Sequence, residues 1–221
     1  MRFIWAWSRR FAAICPAWLE QKTELNYKNR MKMNGKKVYV FLADGFEDVE
    51  ALIPVDVFRR GGIVTKTVSV TGTKRVVSAH GVAVEADMLF EEGDFSDADL
   101  LFLPGGLPGA DNLNAHAGLC QVLLKQNEQG KMLAAICAAP LVLGRLGLLE
   151  GRRATCYPGF EGTLKGAQYT AEICTVDGHI TTGEGPAAAF PFAYSLLSQL
   201  MDESTSRQIA EGMRFVHLME G

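Results

Sequence analysis

Among the side chains able to do covalent chemistry, Cys137 has the most suggestive setting. It stands in "AAICAAP" (134–140), between the apolar run "MLAAI" and the helical stretch "APLVLGRLGLL". A strand, one residue and then a helix is the layout of a nucleophile elbow, where a sharp turn presents the side chain at the sheet edge. Ala134, Ala135, Ala138 and Ala139 are small enough to allow such a turn. A helix N-terminus at this point would favour the thiolate and lower the cysteine pKa. The same residues would also suit a core cysteine that closes a buried strand, because free cysteines are among the most buried residue types.

Two other segments offer partners for the thiol. In "LPGG" (103–106), Gly105 and Gly106 let backbone N–H groups approach a ligand without a Cβ in the way. The amides of Gly106 and Ala138 together would form an oxyanion hole, although Pro-Gly-Gly is also an ordinary loop. Glu50 lies one turn into a predicted helix. A carboxyl group beside a thiol and partly desolvated has a raised pKa, and can hydrogen-bond a thiolate or act as general acid and base. Glu47 and Asp48 read as solvated charges favoured by the helix N-terminus, a description that would also serve Glu50.

These residues need elements to position them. "KVYVFLA" reads as a short apolar strand, followed by a helix over "EDVEALIPVDVFRRGG" that Pro54 is expected to kink. "VTKTVSV" is a second strand, and "KRVVSA-HG-VAVEAD" is a hairpin around His80 and Gly81. "ADLLFLPGG" is a fully apolar strand, followed by one helix over "NLNAHAGLCQVLLKQNEQG" and the strand "MLAAI". "EICTVDGHITT" is a hairpin turning at Asp177 and Gly178, and the chain closes on one or two helices from Ala187. Apolar strands alternating with helices predict a central, mostly parallel sheet covered on both faces. Ligands of such sheets bind beyond the carboxyl ends of the strands, at a topological switch point. Glu50, Gly106 and Cys137 all follow strands, so they converge on one crevice.

Composition narrows the classes. With 221 residues, 48% hydrophobic and 21% charged, the chain reads as one globular domain with a sizeable core. A net charge of -3 leaves no basic footprint for nucleic acid. The absence of an apolar run of about 18 residues argues against a membrane span. Cys15, Cys120, Cys137, Cys156 and Cys174 form no CxxC pair and no zinc-like cluster, so no metal or cofactor is expected. Free thiols fit a reducing, cytoplasmic compartment. Residues 1–35, rich in arginine and tryptophan at their start, read as an appended, poorly ordered extension before a domain over 36–221. Pro16 breaks the apolar run that a signal peptide needs, and Met31 or Met33 would be natural alternative starts.

"GFEDVEALIPVDVFRRGG", "DLLFLPGG" and "AAICAAP", in this order, resemble the DJ-1/PfpI superfamily and its DJ-1/YajL/ThiJ-like branch, over roughly residues 36–217. The resemblance implies a flavodoxin-like α/β sandwich, similar to class I glutamine amidotransferases, in a homodimer with an oxidation-sensitive cysteine. By position, Glu50 corresponds to the carboxyl group that hydrogen-bonds this cysteine, and Gly106 and Ala138 to the residues whose amides flank it. The departures are informative. Ala138 stands where PfpI-type proteases carry a histidine, "HLME" (217–220) has the wrong spacing for an amidotransferase His-x-Glu pair, and "TCYP" puts Tyr157 where DJ-1 has a histidine. A Cys-His dyad is therefore not expected.

The resemblance implies chemistry on a small reactive carbonyl such as methylglyoxal, or on its glycated adducts, of glyoxalase III or deglycase type. The alternative is a redox sensor or chaperone-like stress protein in which Cys137 becomes a sulfinic acid. A thiazole-biosynthesis role finds no phosphate-cradling loop in its support. His80 stands where DJ-1 has an arginine near the site, and reads either as a site neighbour or as a solvated turn residue. Arg59 and Arg60 resemble a stretch near the family's dimer interface, or serve the helix macrodipole. Cys156 is either a second thiol near the site or a buried strand-end residue; Cys120 and Cys174 read as structural. His116 reads as helix surface and His179 as a turn residue.

Overall fold

A computed structural model describes residues 35–220. The expected extension, with Cys15, Met31 and Met33, lies outside the described residues apart from its last position.

The chain runs β1 (Lys37–Leu42), α1 (Asp48–Arg60), β2 (Val64–Ser69), the hairpin β3 (Arg75–Val77) and β4 (Ala83–Glu85), then β5 (Met88–Leu89) and β6 (Leu100–Leu103). Next come α2 (Gly109–Ala115), α3 (Ala117–Glu128), β7 (Met132–Ile136), α4 (Pro140–Arg145), and the short strands β8 (Arg153–Ala154) and β9 (Gln168–Tyr169). It ends with β10 (Cys174–Asp177), β11 (Ile180–Gly183), α5 (Ala189–Leu200), α6 (Glu203–Gly212) and α7 (Phe215–Glu220).

Seven strands form the central sheet in the order β10-β11-β7-β6-β1-β2-β5. All neighbours are parallel except the β10–β11 pair. Every residue of β6 is buried, as a strand covered on both faces must be. Helix α1 packs on α5 and α5 on α6, while α2 packs on α3 and α4. These two groups cover the sheet and complete the flavodoxin-like sandwich. Phe102 of β6 meets Phe192 of α5 at a ring separation of 5.6 Å, tying the sheet to that layer. Among the described residues no helix is long and apolar enough to cross a membrane.

The chain leaves β1 for β2 on one side and reaches β6 on the other, so the strand order reverses between β1 and β6. The loops that follow these two strands diverge and leave a crevice at their carboxyl ends. The loop after β1 leads through Glu47 into the first turn of α1 with Glu50, and the loops after β6 and β7 carry Gly105–Gly106 and Cys137.

Three local expectations need correction. The single helix over residues 112–130 is two helices broken at His116. The backbone there turns out of helical geometry (ψ 96°), and its Nδ1 accepts the Leu119 N–H at 3.0 Å. His116 is thus the N-cap of α3, with its ring 4.5 Å from that of Phe90, rather than a helix-surface residue. The turn of the second hairpin is shifted by one residue: Asp177 pairs with Ile180, leaving Gly178 and His179 as the turn. His179 also docks on α3, its Nε2 donating to Asn127 at 2.8 Å. As expected, α1 runs through Pro54 as one helix, and the proline side chain is buried.

Candidate active site

Cys137 is the first residue beyond β7 and has φ +64°, a left-handed conformation that costs a non-glycine residue energy and needs support from around it. The support is backbone hydrogen bonding on both sides. The Cys137 N–H donates to Gly183 O on β11 (2.9 Å), the Tyr157 N–H donates to Cys137 O (2.9 Å), and Ala139 closes the turn onto Ile136 O (3.0 Å). The tight turn turns the side chain toward the crevice and leaves the residue 9% exposed.

Glu50 lies in the first turn of α1 and is wholly buried. Its Oε2 accepts the Gly105 N–H at 2.9 Å, and its side chain hydrogen-bonds the Cys137 thiol. Oε1 is buried with no nitrogen or oxygen partner. Burial raises the Glu50 pKa to about 7, against the pull of the thiol and the Gly105 amide. Cys137 is also pushed up, first by burial and then by the Glu50 charge, while the amides of Gly106 and Ala138 pull it down. The lowered cysteine pKa expected from a helix N-terminus is therefore not what the site produces. Helix α4 starts three residues later and has only six residues, so its dipole is outweighed by desolvation. The two groups are coupled, the Glu50 charge raising the pKa of the thiol, and Oε1, the oxygen with no nitrogen or oxygen donor, is the open acceptor beside the thiol.

Gly105 and Gly106 are both required by close approach. A Cβ on Gly105 would stand 2.7 Å from Glu50 Oε2 and 2.8 Å from Cys137 Cβ, and Gly106 adopts φ +88° against Gly45 and Phe46. The Gly105 carbonyl accepts the Glu47 N–H at 2.9 Å, which ties the β6 loop to the start of α1. Tyr157 reaches Cys137 through its backbone. Its ring is 46% exposed and lies beside Gly185.

Glu47 and Asp48 are not simple solvated charges: their side chains are 15% and 17% exposed. His80 Nδ1 donates to Asp48 Oδ2 at 2.8 Å and stands 3.6 Å from Glu47 Oε2. His80 is thus held against α1, which a merely solvated turn residue would not be. Among the described residues this is the one grouping of three ligand-type side chains, its atoms within 4.8 Å of each other. Both Asp48 oxygens are engaged, by His80 and by the Ser78 hydroxyl (2.6 Å), and the grouping sits at a helix N-terminus that disfavours a cation. It is an ion-pair cluster.

Cys156 is wholly buried, and burial pushes its thiol up to about 12. Cys120 and Cys174 are half-buried. Arg59 bonds Thr65 O and Asp87, and Arg60 pairs with Asp56, so both serve contacts within the chain. Residue-type reasoning missed Ser78 and Gly183. Ser78 carried a signal, since serine two residues before His80 suits a side-chain turn, and its Oγ accepts the His80 and Val82 N–H groups.

A cysteine on a left-handed strand-to-helix turn, backed by a buried carboxyl group in a class I glutamine amidotransferase-like sandwich, defines a class of thiol-centred α/β proteins. Within it, this chain belongs to the DJ-1/PfpI family, whose model matches residues 36–199. It is 38% identical over 182 residues to protein DJ-1 homolog B of Arabidopsis thaliana, covering 81% of this chain but 42% of that relative. The chain therefore spans less than half the length of that plant protein. A deglycase of Pyrococcus abyssi is 34% identical over 154 residues, covering 68% of this chain and 90% of its own. The solved structure of Toxoplasma gondii DJ-1, oxidized, superposes with a TM-score of 0.78 at 35% identity, covering 80% of this chain and 97% of that one.

Proposed function

We propose that this protein is an enzyme acting on small reactive aldehydes such as methylglyoxal, or on their adducts, through Cys137 and Glu50. The observation that carries the reading is a wholly buried carboxyl group, its pKa raised to about 7, hydrogen-bonded to a thiol on a strained turn. A carboxyl group with that pKa takes up and releases a proton near neutral pH, which general acid–base chemistry requires. The Cys137 thiolate adds to the aldehyde carbon, and the carbonyl electron pair moves to the oxygen. The amides of Gly106 and Ala138 stabilise that oxyanion, and Glu50 supplies its proton. With a 2-oxoaldehyde, Glu50 then moves a proton from the aldehyde carbon to the neighbouring carbon while the hydroxyl proton passes to the ketone oxygen, giving the thioester of a 2-hydroxy acid. Water cleaves the thioester and restores the thiol. The sum is aldehyde plus water to 2-hydroxy acid, with no external oxidant or reductant.

The deglycase name of the Pyrococcus relative supports chemistry on glycated adducts. The low exposure of Cys137 supports a small carbonyl over a bulky one. We place the domain at residues 36–221 behind an extension over 1–35, acting as a cytoplasmic homodimer with no cofactor.

The deciding experiment is methylglyoxal consumption with lactate quantified over many turnovers, in buffer without Tris or added thiols. Wild type is expected to turn over, and Cys137→Ala and Glu50→Gln to lose the activity. Consumption of one equivalent or less by wild type overturns the reading.

A second reading is a redox sensor. The oxidized state of the Toxoplasma structure favours it. In that case peroxide converts Cys137 to a sulfinic acid that accepts the Glu50 proton in a hydrogen bond, one stoichiometric event without turnover.

A further inference from the structure

The charge cluster at the start of α1 has a use beyond capping the helix. Glu47 and Asp48 are largely buried, and the cationic side chain that meets them is His80, from the turn between β3 and β4. The hairpin cannot easily carry His80 away. Gly45 N–H donates to Val77 O, Ala79 N–H to Phe46 O and Val77 N–H to Asp44 Oδ1, each at 2.8 Å. Ser78 adds a hydroxyl bond to Asp48 at 2.6 Å. Residues on both sides of His80 are therefore pinned to the segment that carries Glu50.

We propose that His80 is a positioning residue for the Cys137–Glu50 pair: its imidazolium, clasped by Asp48 and Glu47, sets the local charge that Glu50 meets and hence the pH at which Cys137 becomes nucleophilic. The proposal rests on that pair being the reactive site.

The argument is one of charge. The ionisable groups facing His80 are Asp48 and Glu47, and the hairpin itself adds only the neutral Ser78 hydroxyl. With His80 protonated the cluster carries one net negative charge; with it neutral, two. The Glu47 charge reaches Glu50 and makes its proton harder to remove. A cation 3.6 Å from Glu47 offsets this and lets the pair lose its first proton at lower pH. The hydrogen bond to Asp48, with the Glu47 charge behind it, in turn raises the His80 pKa and so favours its charged form. Because His80 is exposed, the effect is screened by salt.

The test is the rate of Cys137 alkylation by iodoacetamide against pH, followed by peptide mass spectrometry without substrate. The proteins are wild type, His80→Asn and His80→Lys. His80→Asn is expected to move the midpoint up by about half a pH unit at low salt. His80→Lys is expected to restore it, and 0.5 M salt to shrink the difference. An unchanged midpoint in His80→Asn, or no restoration by lysine in a folded protein, overturns the proposal. A Cys137 that reacts no faster than a free thiol exposed to the same degree, with no titration between pH 5 and 9, would instead remove the reactive-site reading beneath it.

Discussion

Glu50 and Gly105 hold each other in place: the glycine N–H donates to Oε2 at 2.9 Å, and a Cβ on that glycine would stand 2.7 Å from the same oxygen. That Cβ would also press on Cys137 Cβ, at 2.8 Å. Gly105→Ala therefore drives Glu50 and Cys137 apart. The expected cost is about 1–3 kcal/mol of stability from overpacking. Activity is expected to fall about 100-fold, since a misplacement of roughly 1 Å has that effect. Thermal unfolding beside turnover would check both; wild-type activity with a shifted Tm would show that the contact is only structural.

The buried carboxyl group also links stability to pH. The folded Glu50 pKa of about 7 lies above the ordinary value of 4.5. A raised pKa means that the folded state binds the proton more tightly. The contribution is present below the unfolded pKa and is lost as pH rises through the folded one. Glu50→Gln removes this loss while keeping an oxygen for the Gly105 N–H. It is expected to be more stable than wild type by roughly 3 kcal/mol at pH 8 and by little at pH 5. Denaturant unfolding at the two pH values measures the difference, and an equal offset at both would contradict the linkage.

Much of this was legible in the sequence because buried parallel strands leave an unmistakable trace. "LLFL" and "MLAAI" are continuous apolar runs, and the glycines and cysteine that end them mark the sheet edge. The break at His116 was not, because no proline marks it and the capping bond depends on ring orientation. The cysteine pKa was misread for a different reason. A dipole argument assumes a longer helix and a solvated thiol, and burial beside Glu50 reverses its sign. The Asp48–Ser78–His80 contacts join segments about 30 residues apart, so hairpin docking alone creates them.

The thiols differ in access, and that gives a selectivity prediction. Burial raises the pKa of both thiols, but Cys156 is wholly buried, whereas Cys137 is 9% exposed and has a proton acceptor beside it. Brief treatment of the folded protein with dilute peroxide is expected to oxidise Cys137 and leave Cys156 reduced. Peptide mass spectrometry distinguishes them. Denaturant should abolish the difference, because burial is its cause, and equal oxidation without denaturant would refute the assignment.

Tyr157 separates backbone support from side-chain function. Its N–H holds Cys137 O at 2.9 Å, and that bond survives any change of side chain. Its ring, 46% exposed and close to Gly185, is free to meet whatever enters the crevice. Tyr157→Ala should therefore leave iodoacetamide alkylation of Cys137 unchanged within about twofold, while raising KM severalfold as lost contact surface does. Tyr157→Phe keeps the ring and removes only the hydroxyl. If the ring acts by contact, this variant should retain wild-type kcat and KM. A fall in kcat with unchanged KM in Tyr157→Phe would instead give the hydroxyl a part in proton transfer, and would add a third side chain to the chemistry assigned to Cys137 and Glu50.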